Sequence, residues 1–415
     1  MPDTKRFNFQ TGSWFRDTGP TDAVTLVIAG DWAPIRAFAP LIESNPQSIY
    51  GDLLPVLQDA DLTIVNLEAA LSDIGRDVCK SGTVFKGKAG HVKGLTAVPF
   101  SAVTLGNNHM FDFGVEAFRQ TVEVLDRHGI AHTGAGMTQK EAEAPLIMET
   151  KGVRVAIINI SEGEDLTAAG PGPGVAGWDI EGACARIKDL KKETTQTLHA
   201  VIAVVHCGLE YIPFAPEYAT NAFKALARAG ADAVIGHHPH VPQGLFFHGK
   251  TPVCCSLGNF VFYQPTNFFW RKLGYMVRLH ISKKGLAGLD IEPYRIHDRG
   301  VQMLAGSNRD YFFKRFRQIS EPLSTPEGSK HAWQGFLDYY GVAGLKNEVN
   351  MILNRLDDIP GKGAAMFRNR LTTAQHVHHW QDLLTRVVQD KMGQSPSWAQ
   401  GLAREWLTRQ VENES

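Results

Sequence analysis

The sequence predicts an α/β protein that ends in a helical region, and three observations carry the prediction. Short apolar runs rich in β-branched residues alternate with segments of helical spacing along most of the chain. Two apolar segments, 275–282 and 289–296, then follow one another with no helix between them, which predicts an antiparallel portion. Beyond about residue 300 the strand-like runs stop and helical patterns take over. The 415 residues thus divide into an N-terminal extension (1–23), an α/β domain (24–299) and an α-helical C-terminal region (300–415).

The first buried strand is read in VTLVIAG (24–30), where continuous apolar character implies cover on both faces. DLTIVNL (61–67) and AVTLG (102–106) repeat the pattern. GVEAFRQTVEVLDRHG (114–129) is a helix by spacing and stops at Gly129. A strand in VRVAIINI (153–160) precedes a helix in DIEGACARIKDLKK (179–192), with the Gly/Pro-rich loop GPGPGVAGWD (170–179) between them. Long irregular loops of that kind often cover a site. AVIAVVH (200–206) is a strand, PEYATNAFKALARAG (216–230) a helix stopping at Gly230, and DAVIG (232–236) and PVCCSLG (252–258) are strands. In the tail, FFKRF, GFLDYYGVAGL and WQDLLTRVV are amphipathic and need a surface to bury against, so the tail is expected to cover or dock on the sheet domain.

Hydrophobic content of 43% and charged content of 20% are those of an ordinary globular protein. Lys plus Arg (42) nearly cancels Asp plus Glu (43), which argues against nucleic-acid binding. No apolar run reaches the roughly 20 residues of a transmembrane segment. The polar first twenty residues lack a secretion signal, so a cytoplasmic location is expected. Cys79, Cys184, Cys207, Cys254 and Cys255 show no C-x-x-C spacing and are read as buried, reduced thiols. Neighbours in a strand point to opposite faces, so Cys254 and Cys255 are not expected to pair.

Strand after strand ends in residues able to bind a metal or move a proton. The successive ends deliver Asp31; Asn66 and Glu68; Asn107, Asn108 and His109; His206, with Glu210 just beyond; His237, His238 and His240; and Asn259. The carboxyl ends of strands are where sites assemble in open α/β sheets. In an extended segment residues two apart share a side, so His238 and His240 are expected to approach one centre. His237 would face away, into packing or a supporting hydrogen bond. Imidazole, amide and carboxylate donors suit one or two divalent transition ions, Mn, Fe, Zn or Ni. No cysteine belongs to the set, which argues against a structural zinc site.

The ordered pieces GDWAP, NLEAALSD, GNNHMFDFG, HCGLEY, GADAVIGHHPHVPQG and SLGNFVF, spread over about 24–295, resemble the CapA family. That family, the capsule-synthesis or PGA_cap domain, is related to the calcineurin-like metallophosphoesterases. The resemblance implies a sandwich of two mixed β-sheets flanked by helices, with metals at the strand ends. It places Asp31, Glu68, Asn108, His206, His238 and His240 at ligand positions, and His109 beside Asn108 as the acid that protonates a leaving group. Two departures stand out: the related D-x-H is Asp31-Trp32-Ala33 here, and Glu68 stands for a bridging aspartate. The chemistry implied is hydrolysis of a phosphoester or an amide, such as a γ-glutamyl linkage, by a metal-activated water. Asn66, His237 and Asn259 would support ligands; Asp112 and Glu210 would either orient ligands or be structural, and Lys86 would either be a solvated surface lysine or hold an anionic group of a small or polymeric substrate. The acidic SEGEDL (161–166) would repel a polyanion unless it carries a metal or recognises an amine. Two other readings are a component of poly-γ-glutamate or capsule polysaccharide biosynthesis, and a non-catalytic binding module with a degraded metal site. AQHVHHW offers a second candidate centre, but on a helix His376 and His379 share a face that His378 leaves, with Asp382 the one carboxylate in reach.

Overall fold

The computed structural model describes residues 7–16, 22–192 and 197–411. Alternation along the strands sorts apolar side chains onto two faces. From Val24–Trp32, Leu26 and Ile28 enter a core shared with Ile157, Ile202, Val204 and Ile235 of a second sheet. Val27 and Ala29 instead meet Phe38, Ile42, Phe118 and Leu125 from helices on the outer side. On the second sheet Ile158, Val201 and Val205 pack outward on Ala183, Ile187, Phe223 and Leu226. The result is the expected sandwich of two mixed sheets between helical layers.

The eight-stranded sheet runs in the order Ser13–Phe15, Gly285–His297, Leu273–Ser282, Val24–Trp32, Leu62–Leu67, Ala102–Thr104, Ala131–Thr133, with Gly300–Met303 also paired to Gly285–His297. The six-stranded sheet runs Gln243–His248, Thr251–Ser256, Ala233–His237, Ala200–His206, Val153–Ser161, Leu146–Thr150. Val24–Trp32, Leu62–Leu67 and Ala102–Thr104 are parallel neighbours, as are Val153–Ser161, Ala200–His206 and Ala233–His237. A bridge between Asp31 and Asn259 joins the two sets at their carboxyl ends. Leu273–Ser282 and Gly285–His297 form the antiparallel portion.

Two boundaries shift. Ser13–Phe15, inside the expected extension, pairs with Gly288–Asp290, and Gly300–Met303 carries the sheet past residue 299. Both are short edge strands of three and four residues, too short to show a period. The tail is helical: Gly306–Ser320, Pro326–Leu353, Lys362–Thr372, Ala374–Val388 and Ser397–Thr408. Phe312, Phe316, Ile319 and Trp406 join the core between the sheets. Trp406 stacks on Trp270 with centroids 3.6 Å apart, and its indole donates to the Pro242 carbonyl at 3.2 Å. The tail is therefore continuous with the main core. All five cysteines are free; Cys207, Cys254 and Cys255 are buried as expected, whereas Cys79 is exposed and Cys184 half-buried. No helix among the described residues is long and apolar enough to cross a membrane.

Glu348 ties three tail helices together. It accepts from Arg370 Nε at 2.6 Å, Tyr340 Oη at 2.6 Å and Trp380 Nε1 at 3.1 Å. Burial pushes its carboxyl up, but Arg370 and these donors outweigh it and bring it down to about 2. A depressed folded-state pKa gives stability that is present above the unfolded value and lost as pH falls towards the folded one. Glu348→Gln is expected to lower the urea midpoint at pH 7, with the gap to the parent narrowing as pH drops below about 4.5. Urea titrations across that range check it.

Candidate metal centre

The strand ends are brought together by backbone features that only certain residues permit. A Cβ at Gly30 would lie 2.1 Å from the Gly258 carbonyl oxygen, so glycine lets the first strand meet that turn. The Asp31 amide then donates to the same oxygen at 3.1 Å. The strand Ala233–His237 stops at His237, and His238 and His240 take left-handed backbone with φ of 97° and 57°. That is a strained conformation for non-glycine residues and is characteristic of functional sites. The expectation of an extended H-x-H is therefore corrected: the chain leaves strand geometry after His237. His238 and His240 still join the ligand cluster, and His237 makes the supporting hydrogen bond expected of it, to Asp31.

Two groups of ligand-capable atoms share Glu68. Asp31, Glu68 and His240 make one, and Glu68, His206 and His238 the other, with the atoms of each group within 4.8 Å of one another. Asn108 belongs with the second, its Oδ1 lying 3.1 Å from His206 Nε2. His206 Nε2 is also 3.1 Å from His238 Nδ1 and 3.4 Å from Glu68 Oε1. His240 is 3.5 Å from Asp31 Oδ2 and 3.8 Å from Glu68 Oε1. All six side chains are buried.

The electrostatics have the sign of a site built around positive charge. Burial pushes the Asp31 carboxyl up, but His237 and His240 outweigh it and hold it well below the usual range. Burial, and then the charge of Asp31, hold Glu68 well above it. Burial, and then His238, keep His206 well below the usual histidine range, so its ring is neutral. Burial would lower His240 as well, yet Glu68 and Asp31 push it up to about 10. Asp31 Oδ2, both Glu68 oxygens and His237 Nε2 are buried with no hydrogen-bond partner. Buried polar atoms are seldom left so, and an imidazole–carboxylate–amide set suits a divalent transition ion. The residues fit such an ion.

The surrounding residues divide into those the fold brings in and those it does not. Asn66 Nδ2 donates to Asp31 Oδ1 at 2.8 Å and lies 3.3 Å from His206 Nδ1. His237 Nδ1 is 2.9 Å from Asp31 Oδ1, and Asn259 Oδ1 is 2.9 Å from His240 Nδ1. Asp112 Oδ2 meets His109 Nδ1 at 2.7 Å, and Lys80 Nζ meets Asp112 Oδ1 at 2.9 Å and the Asn108 carbonyl at 2.7 Å. The cluster opens into a cavity of about 380 Å³ whose wall includes His109, His240, Glu210, Arg36 and Arg271. Lys86 lies off this wall: its ammonium donates to the Ile74 carbonyl at 2.7 Å and sits over Phe113.

Sequence reasoning missed Lys80, Glu164, Asn369 and Gln375, which touch the cluster or its supports. Glu164, in the acidic SEGEDL loop, accepts from Asn108 Nδ2 at 2.7 Å. Burial raises its carboxyl, but the contact with His376, then His238, outweigh burial and hold it well below the usual range. The three tail histidines do not form a centre of their own. His376 is 3.5 Å from Glu164, His378 stacks on Tyr218, His379 packs among Phe336 and Tyr340, and Asp382 accepts from Trp333.

An α/β sandwich with a buried cluster of imidazoles and carboxylates at converging strand ends defines the class of this protein. The pattern of the Bacterial capsule synthesis protein PGA_cap family matches residues 25–264, and the chain belongs to that family. It is 30% identical over 214 residues to the PGA biosynthesis protein CapA of Bacillus subtilis, covering 50% of this chain and 54% of that one. The chain thus spans about half the length of that relative. It is 25% identical over 312 residues to the capsule biosynthesis protein CapA of Bacillus anthracis, covering 73% and 74%. Among solved structures, Thermus thermophilus sulfate thiohydrolase SoxB aligns at 13% identity and a TM-score of 0.40, over 73% of this chain and 61% of that one. A second protein of Thermus thermophilus, TT1561, aligns at 11% and 0.37, over 66% and 100%. Neither structural likeness, at those scores, bears on the reading of the site.

A ligand bound at a hundredfold excess over its Kd stabilises the folded state by about 2.7 kcal/mol. Mn(II) or Zn(II) added to the metal-free protein is expected to raise its thermal midpoint accordingly. The double variant His238→Ala, His240→Ala is expected to show no rise by scanning fluorimetry. An equal rise in both proteins would place the ion elsewhere.

Proposed function

We propose that the chain is a metal-dependent hydrolase whose substrate is an amide, of γ-glutamyl type, in an anionic polymer. The observation that carries this reading is the pair of buried donor groups sharing Glu68, opening into a cavity with the His109–Asp112 pair on its wall. The names of the relatives, PGA biosynthesis and capsule biosynthesis, support a capsule-type polymer over a small phosphoester. They equally favour a second reading, in which the protein serves assembly of that polymer.

Asp31, Glu68 and His240 would hold one ion, and Glu68, Asn108, His206 and His238 the other. Bound there, divalent ions would supply Lewis acidity and lower the pKa of water to near neutrality. Asp112 anchors His109 Nδ1, which leaves the other ring nitrogen for the cavity. Phe85 stacks on the imidazole at 3.9 Å and limits its rotation. Burial, then Lys80, hold His109 below the usual histidine range against the pull of Asp112. A neutral ring there would take the proton released by the attacking water and pass it to the leaving nitrogen as the carbon–nitrogen bond breaks. Arg36 and Arg271 on the cavity wall offer positive charge to carboxylates flanking the scissile bond.

Metal-loaded protein is expected to shorten γ-glutamyl oligomers, read by mass spectrometry beside a panel of phosphoesters. Turnover of the phosphoesters alone would move the substrate class; turnover of neither would leave the assembly role. His109→Ala should keep its metal by elemental analysis and lose about a hundredfold or more in rate. Metal lost in step with activity would make His109 a ligand instead.

A further inference from the structure

Support for the first donor group comes from within the α/β domain: Asn259 holds His240, and His237 and Asn66 hold Asp31. In the second group His206 also lies 3.3 Å from Asn66 Nδ2, but His238 and Asn108 are held differently. His238 Nε2 lies 3.3 Å from Gln375 Oε1. Asn108 Nδ2 donates to Glu164 Oε2 at 2.7 Å, and Glu164 Oε1 in turn accepts from Asn369 Nδ2 at 2.8 Å. Asn369 and Gln375 are both buried, on the helices Lys362–Thr372 and Ala374–Val388, far beyond the family-matched residues 25–264.

We infer that these tail helices complete one half of the metal centre, with Gln375 and Asn369 as positioning residues for His238 and Asn108. The inference rests on the metal-dependent reading above. A ligand imidazole must present a lone pair, and the partner of its other nitrogen decides which nitrogen that is. An amide oxygen at Nε2 keeps the proton there and leaves Nδ1, the atom facing His206, free to bind. An asparagine binds an ion through its oxygen, so its NH2 must be held elsewhere. Glu164 holds it and points Oδ1 at His206 Nε2, while Asn369 fixes the carboxylate of Glu164. Neither residue has a hydrogen bond to Asp31 or His240, so Gln375 and Asn369 would act on one ion and not the other.

The test is a titration of the metal-free, full-length protein with Mn(II) by calorimetry, bound ions being counted by electron paramagnetic resonance. The parent is expected to bind in two steps, His238→Ala removing one and His240→Ala the other. Gln375→Leu keeps bulk but has no acceptor, and should weaken only the His238-dependent step, by about 10- to 100-fold. Asn369→Leu should weaken the same step, and Gln375→Glu, with an acceptor restored, should return it towards the parent. An unchanged step in both leucine variants, or equal weakening of both steps, overturns the inference, the second outcome marking plain loss of helix docking. Failure of the parent to bind Mn(II) in two such steps overturns it together with the two-ion reading. A parent that behaves as expected beside an unaffected Gln375→Leu overturns the inference alone.

Discussion

Asp31 and Glu68 are two buried carboxylates close enough to share a ligand sphere, and the rest of the structure answers that one electrostatic constraint. Removing a carboxylate from water costs several kcal/mol even after relaxation, and a second negative charge beside it adds repulsion. The fold meets the cost unevenly. Two imidazoles hold the Asp31 carboxyl well below the usual range and the Asn66 amide donates to it, whereas Glu68 has no hydrogen bond and burial, then Asp31, hold it well above that range. A divalent cation between them would offset both burdens, which is why this placement reads as a binding site and not as a structural ion pair.

The two sheets bring complementary halves of that site. Asp31, Asn66, Glu68 and Asn108 come from strand ends of the eight-stranded sheet. His206, His237, His238, His240 and Asn259 come from those of the six-stranded sheet. Neither half can neutralise the other until the apolar layer between the sheets is packed. Cation binding there would be linked to the assembly of the sandwich, as it is wherever ligands are scattered in the unfolded chain. The tail adds to the same linkage, since Trp406 reaches the Pro242 carbonyl two residues from His240.

Most of the fold was legible because its signals are local. The seven buried strands expected between residues 24 and 258 and the three expected helices all form, with ends displaced by about two residues, the usual fraying of such boundaries. The candidate cluster was legible for a similar reason: a polar residue straight after an apolar run is visible without knowing where the run packs. Lys86 shows the limit of that reasoning. A cation near a motif in sequence is placed by its own loop, and here the loop sends Lys86 to Ile74 and Lys80 to Asp112.

The sequence by itself determined the α/β architecture, the strand-end residues and their order along the chain, since periodicity and residue type are read within windows of a few residues. Only the tertiary structure decided how those residues meet. The chain turns through left-handed backbone at His238 and His240, and His237 meets Asp31 from a strand of the other sheet. The same holds for Gln375 and Asn369, which carry no motif and reach the centre because an amphipathic tail folds back onto the domain. Pairings between residues more than a hundred positions apart depend on packing, and packing leaves no local mark in the sequence.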